Sequence, residues 1–82
     1  MVQELLTIDT GNAIAHCVAF DRATKVLAVG CSNAEIKMVN VEKGEITNVL
    51  KAHDDAVNAI YINHDNQSMF TASNDGTVRI WK

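Results

Sequence analysis

The sequence repeats itself at an offset of 42 residues, and this repeat narrows the possible folds more than any other feature. The offset places Val18 on Ile60, Phe20 on Ile62, Leu27 on Met69, Ile36 on Val78 and Met38 on Ile80. It also lays the turn Ser32-Asn33-Ala34 over Asn74-Asp75-Gly76. Few residues are identical between the halves; what recurs is hydrophobic phase and punctuation. Apolar residues alternate in short runs, which is the period of strands. Strands are expected at 13–20, 26–29, 35–41 and 45–50, then at 56–62, 68–72 and 77–81. The turns between them are rich in Asp, Asn and Gly, including Glu42-Lys43-Gly44, His64-Asp65-Asn66-Gln67 and Asn74-Asp75-Gly76. A helix over 34–51 would gather Ile36, Val39, Ile46 and Leu50 into a ragged stripe, but Gly44 and the β-branched residues oppose it.

Composition removes several classes of function. At 82 residues the chain is one small domain, 48% apolar and 21% charged, within the globular range. A chain this short buries only about 60% of its unfolded surface, so a self-sufficient core is marginal. A net charge of −3 offers no basic patch for phosphates, so nucleic acid is not an expected partner. No apolar run reaches the ~18–20 residues of a membrane span, and no basic n-region precedes an apolar stretch, so a soluble chain with no membrane partner is expected. Two cysteines, with no CxxC pair, read as buried thiols in a reducing compartment and not as a metal site. His16 and Cys17 are adjacent on a strand and point to opposite faces, which is poor ligand geometry, and Cys31 falls near Cys17 on the neighbouring strand.

A period near 40–45 residues with four strands per unit is the signature of propeller blades. The second unit adds His53, Thr71, Asp75 and Trp81, with His53 22 residues before Asp75 and 28 before Trp81. This set resembles the histidine, serine or threonine, aspartate and tryptophan tetrad of the WD40 family. Asp75 can accept from the His53 imidazole, His53 can bond the Thr71 hydroxyl, and that hydroxyl can reach the Trp81 indole N–H, so four buried polar groups satisfy one another. A nucleophilic triad of His, Thr and Asp is the rival reading, and no oxyanion loop accompanies it. The corresponding positions of the first unit are Gly11, Val29, Asn33 and Val39, which suit a degenerate blade held by apolar packing. Two further departures are Ala52, where the family usually has glycine, and Trp81-Lys82, where it usually has Trp-Asp.

The resemblance implies an all-β fold of two WD40-type propeller blades, an incomplete propeller. Residues 1–10, with Leu5–Asp9 at their centre, read as the outer strand of a preceding blade. Residues 11–51 read as the degenerate blade, and 52–82 as the repeat with the tetrad, lacking its outer strand. Two blades leave apolar faces and an unpaired edge. Other protein chains are therefore expected to supply the remaining blades, or copies of this chain to close a ring with Leu5–Asp9 of one completing the open blade of the next. Thr7-Ile8-Asp9-Thr10-Gly11, Val18-Ala19-Phe20-Asp21, Val26-Leu27-Ala28, Gly44-Glu45-Ile46, His64-Asp65 and Asp75-Gly76-Thr77-Val78-Arg79 resemble, in order, the last two blades of a WD-repeat protein of the ciliary central apparatus. That likeness implies axonemal central-apparatus partners and a cytoskeletal location.

The expected function is non-catalytic protein-interaction scaffolding that requires no cofactor. Asp54, Asp55 and Asn74 read first as solvated loop residues, and also as a docking face where the entry loop and the 74–76 turn open together. His64 reads as a solvated turn residue. A self-assembled propeller binding a ligand such as a glycan is the alternative; Phe20, Tyr61, Phe70 and Trp81 would have to serve it, and their strand positions suit the core better. No nucleophile, metal or phosphate motif points to an enzyme.

Overall fold

The computed structural model describes residues 2–65 and 67–82. Among these residues seven strands form two antiparallel sheets. The first holds β1 (Ala15–Asp21), β2 (Val26–Cys31), β3 (Glu35–Asn40) and β4 (Glu45–Lys51) in sequence order; the second holds β5 (Val57–Asn63), β6 (Ser68–Ser73) and β7 (Val78–Trp81). Each strand lies within about two residues of where the alternation puts it.

The repeat is written into the backbone. β1 and β2 recur 42 residues later as β5 and β6, and a bulge between Ala15 and Cys17 recurs between Val57 and Ala59. The left-handed residues recur as well, Lys25 (φ 60°) with Gln67 (φ 59°) and Ala34 (φ 76°) with Gly76 (φ 86°). Only Gly76 adopts that conformation without a Cβ penalty.

The two sheets pack face to face. One face of the first contributes Ala28 and Ile36, with Cys17, Met38 and Leu50 beside them; one face of the second contributes Val57 and Met69, with Ile60, Ile62 and Trp81. Gly30 sets the closeness of this approach, because a Cβ there would lie 2.6 Å from Cys17 Sγ and 2.8 Å from Val57 Cγ1. The other face of the first sheet holds Val29, Cys31 and Val39, covered by Ile8 and Ala13.

Residues 2–10 join neither sheet, and a strand of a preceding blade would find its ladder partner only in that blade. Two expectations need correction. The aromatic side chains do not all enter the core: Tyr61 is 63% and Phe20 40% exposed, since both point to the sheet faces that no other sheet covers. His64 is not merely solvated, for its Nδ1 lies 3.2 Å from Asp21 Oδ1 and ties the β5–β6 turn to the end of β1. Asn66, in the same expected turn, lies outside the described residues.

Candidate protein-docking face

The hairpin between β6 and β7 aims one carboxylate backwards. The Gly76 amide donates to the Ser73 carbonyl at 3.2 Å, the Asp75 amide to Ser73 Oγ at 3.1 Å, and the Thr77 amide to Asp75 Oδ1 at 2.9 Å. This leaves Asp75 Oδ2 facing the loop before β5, where it accepts from the Asp54 amide at 3.0 Å. His53 Nδ1 lies 3.0 Å from the same oxygen. Because a carboxylate only accepts, Nδ1 carries the proton, and Nε2 is left to accept from the Thr71 hydroxyl at 2.7 Å. Thr71 Oγ1 in turn accepts from the Trp81 indole N–H at 3.0 Å. The hydrogen bonds thus run in one direction, Trp81 to Thr71 to His53 to Asp75.

His53 and Thr71 are each only 1% exposed, and no buried side-chain polar atom among the described residues lacks a partner. A Thr71 hydroxyl so enclosed, with both its proton and its oxygen engaged, cannot meet a substrate. The arrangement is that of a structural clamp and not of a nucleophile with its base.

Sequence reasoning missed several contributors. The Thr77 hydroxyl donates to Asp75 Oδ1 at 2.6 Å, and Arg79 places Nη1 2.8 Å from the Ala52 carbonyl and Nη2 3.6 Å from Asp75 Oδ2. The Thr77 hydroxyl above all, then the Asp54 amide, holds the Asp75 carboxyl well below the ordinary carboxylate value, against the opposing effect of burial. The signal for Arg79 was available, because it shares the period-2 phase of Trp81 and so faces inward with it.

Asp54, Asp55 and Asn74 meet at this end of the second sheet. Ser73 Oγ donates to the Asp55 carbonyl at 3.1 Å, the Asn74 amide to the Ala56 carbonyl at 3.0 Å, and Asn58 Nδ2 to Asn74 Oδ1. All three side chains are exposed. In the first sheet the corresponding turn repeats the backbone bond, from the Ser32 amide to the Ile14 carbonyl at 2.8 Å, without the carboxylate clamp. Val29 and Val39 pack there with Cys31, while Asn33 is exposed and bonds Glu35.

Cys17 and Cys31 belong to separate apolar clusters, and burial pushes both thiols up. Among the described residues no group of three or more His, Cys, Asp or Glu could hold a metal ion.

The "WD domain, G-beta repeat" family matches residues 44–82, the stretch that contains the clamp. The chain carries a WD40 repeat. It is 36% identical to Periodic tryptophan protein 2 of Arabidopsis thaliana over 80% of its own length and 7% of that protein's. It is 31% identical to Retinoblastoma-binding-like protein E of Dictyostelium discoideum over 95% and 15%, and 28% identical to the U3 small nucleolar RNA-associated protein 21 homolog of Schizosaccharomyces pombe over 92% and 8%. The chain therefore spans under a sixth of the length of these relatives. Its fold is that of the computationally designed Ika4 protein, with a TM-score of 0.82 over 99% of this chain and 48% of that one, at 22% identity. The β-propeller domain of Cps50 (Swd1) from Myceliophteria thermophila matches with a TM-score of 0.77 over 83% of this chain and 21% of that one, at 10% identity. Both sheets thus have the fold of propeller blades, and residues 44–82, with the second sheet, carry the WD40 repeat.

Proposed function

We propose that this chain is a non-catalytic protein-interaction scaffold, and that Asp54, Asp55 and Asn74 form its docking face. One observation supports this above the rest: a fully satisfied polar clamp fixes the two loops that present these exposed side chains. A loop held by Asp75 through both His53 and the Asp54 amide gives up little conformational freedom on binding, so more of its contact energy appears as affinity. Two adjacent carboxylates suit a partner segment carrying Lys or Arg. The test is to collect partners by proximity labelling with the wild type and with an Asp54→Lys, Asp55→Lys variant whose circular dichroism is unchanged. Partners lost from the variant support the docking face, and undiminished affinity for every partner contradicts it.

The order of short motifs resembling sperm-associated antigen 16 supports a finer placement in the ciliary central apparatus. The three relatives named above carry no ciliary name, so the placement stands on that motif order alone. Localisation of the tagged protein in ciliated cells decides it, with axonemal signal as the supporting outcome and nucleolar signal as the contrary one. The exposed Tyr61, edge-on to Phe70 at 6.0 Å, favours a second reading in which an assembled propeller binds a glycan. Glycan binding abolished by Tyr61→Ala would support that alternative.

A further inference from the structure

We propose that the cavity between the two sheets binds a small organic ammonium ion. The charged end of this ligand meets Asp21, and an apolar body of about six carbons lies among Val26, Met38, Ile62 and Met69. The cavity measures about 210 Å³, and its walls come from residues 21–69, so both sheets build it.

At Gly30 the sheets leave no room for a Cβ between Cys17 and Val57. Val26 lies four residues earlier on β2, ~13 Å along the strand, and Ile62 lies at the far end of β5 from Val57. There the side chains leave space instead, with exposed Thr24 and Gln67 on its solvent side. An apolar cavity of about 150 Å³ already admits benzene, so this one has room for a six-carbon body. The unbranched Met38 and Met69 side chains can adjust to the shape of such a body.

The charge at Asp21 selects a cation. Three turns at this end of the sheets carry a side chain that accepts the amide two residues on: Asp21 from Ala23 at 3.0 Å, Asn40 from Glu42 at 3.0 Å and Asn63 from Asp65 at 3.1 Å. The turn needs an acceptor and no charge, since Asn serves in two of them, and Asn63 is the repeat equivalent of Asp21. Of the three, Asp21 alone lines the cavity, and it alone is a carboxylate. It is buried; Oδ1 accepts from the Ala23 amide and His64, and Oδ2 from the Thr24 hydroxyl at 3.0 Å. Burial raises this carboxyl, but these bonds leave it below its ordinary value, so it is charged at neutral pH. Among the described residues the half-exposed His64 is the only basic side chain in ion-pair range of it. A carboxylate accepts about four hydrogen bonds, so one position is left for an ammonium N–H. A cation there would meet a buried charge in low-dielectric surroundings, where the attraction is strong.

The proposal rests on the packing of the two sheets, and the cavity lies at the end of β5 away from Asp54 and Asp55, so its failure leaves docking there untouched. The probe is hexylammonium, with 1-hexanol as its neutral counterpart, titrated into the 82-residue chain with methyl-labelled methionine and followed by NMR. Hexylammonium should shift the Met38 and Met69 methyl signals saturably and bind at least about tenfold more tightly than 1-hexanol. In Asp21→Asn, which keeps the acceptor for the turn, its affinity should fall to that of the alcohol. No saturable shift of the two methyls, comparable binding of amine and alcohol by the wild type, or full hexylammonium affinity in a folded Asp21→Asn protein would each overturn the proposal. Should Asp21→Asn lose its circular dichroism, the comparison of amine with alcohol in the wild type decides alone.

Discussion

Thr71 is the residue on which the clamp turns, since its hydroxyl bonds His53 on one side and Trp81 on the other. Thr71→Val keeps the shape and strands both neighbours, so it should lower stability by about 1–3 kcal/mol in urea unfolding. Combined with Trp81→Phe, the loss should be less than the sum of the two, because the indole N–H no longer needs a partner. Asp75 and Asp21 give the clamp and the link between sheets a common pH signature. Burial would raise the Asp21 carboxyl, but hydrogen bonds from Thr24, the Ala23 amide and His64 hold it below its ordinary value, and Asp75 is held lower still. Both native carboxyls are thus more acidic than their unfolded counterparts near pH 3.9. Their stabilisation is fully present above that value and is lost as the pH falls below it. The urea midpoint should fall from about pH 5 towards about pH 2, and Asp75→Asn should flatten that fall.

Among the elements, the strands were legible because a period of two and Asx- or Gly-bearing turns are local properties. His53, Thr71, Asp75 and Trp81 were legible for a different reason: their residue types and spacing carry a hydrogen-bond network with only one way to close. The inward phase of Arg79 was readable, but its bond to the Ala52 carbonyl depends on where the 52–56 loop lies, and the Thr77 hydroxyl escaped because alternation does not report which way a turn side chain bonds. The link from His64 to Asp21 escaped because it joins residues 43 apart in different sheets. Residues 2–10 look like a strand in isolation, yet a strand exists only with a neighbour to pair with. The contact between the sheets depends on Gly30, where a side chain has no room. Gly30→Ala should cost about 1–3 kcal/mol by overpacking, and Cys17→Ala should restore part of it by removing the sulfur that the new methyl meets. Full stability in Gly30→Ala would show that the sheets do not pack this closely.

The molecule as a whole is two sheets sharing one apolar cluster, with further apolar faces left uncovered. Sheets joined in this way should unfold together, giving the same midpoint by Trp81 fluorescence and by far-ultraviolet circular dichroism. The clamp and the shared cluster meet where Ala52 and His53 are buried side by side, which predicts slow amide exchange there and would hold the proposed acidic docking loop in place. Hydrogen–deuterium exchange along the chain, compared between wild type and Thr71→Val, tests this link most directly. The clamp predicts that the amides of Asp54 and Thr77, both bonded to Asp75, lose protection in the variant, while the β1–β4 amides keep theirs. Unchanged protection at Asp54 and Thr77 in a folded Thr71→Val protein would contradict the account, because the loops at 53–55 and 74–77 would then be held by something other than the tetrad.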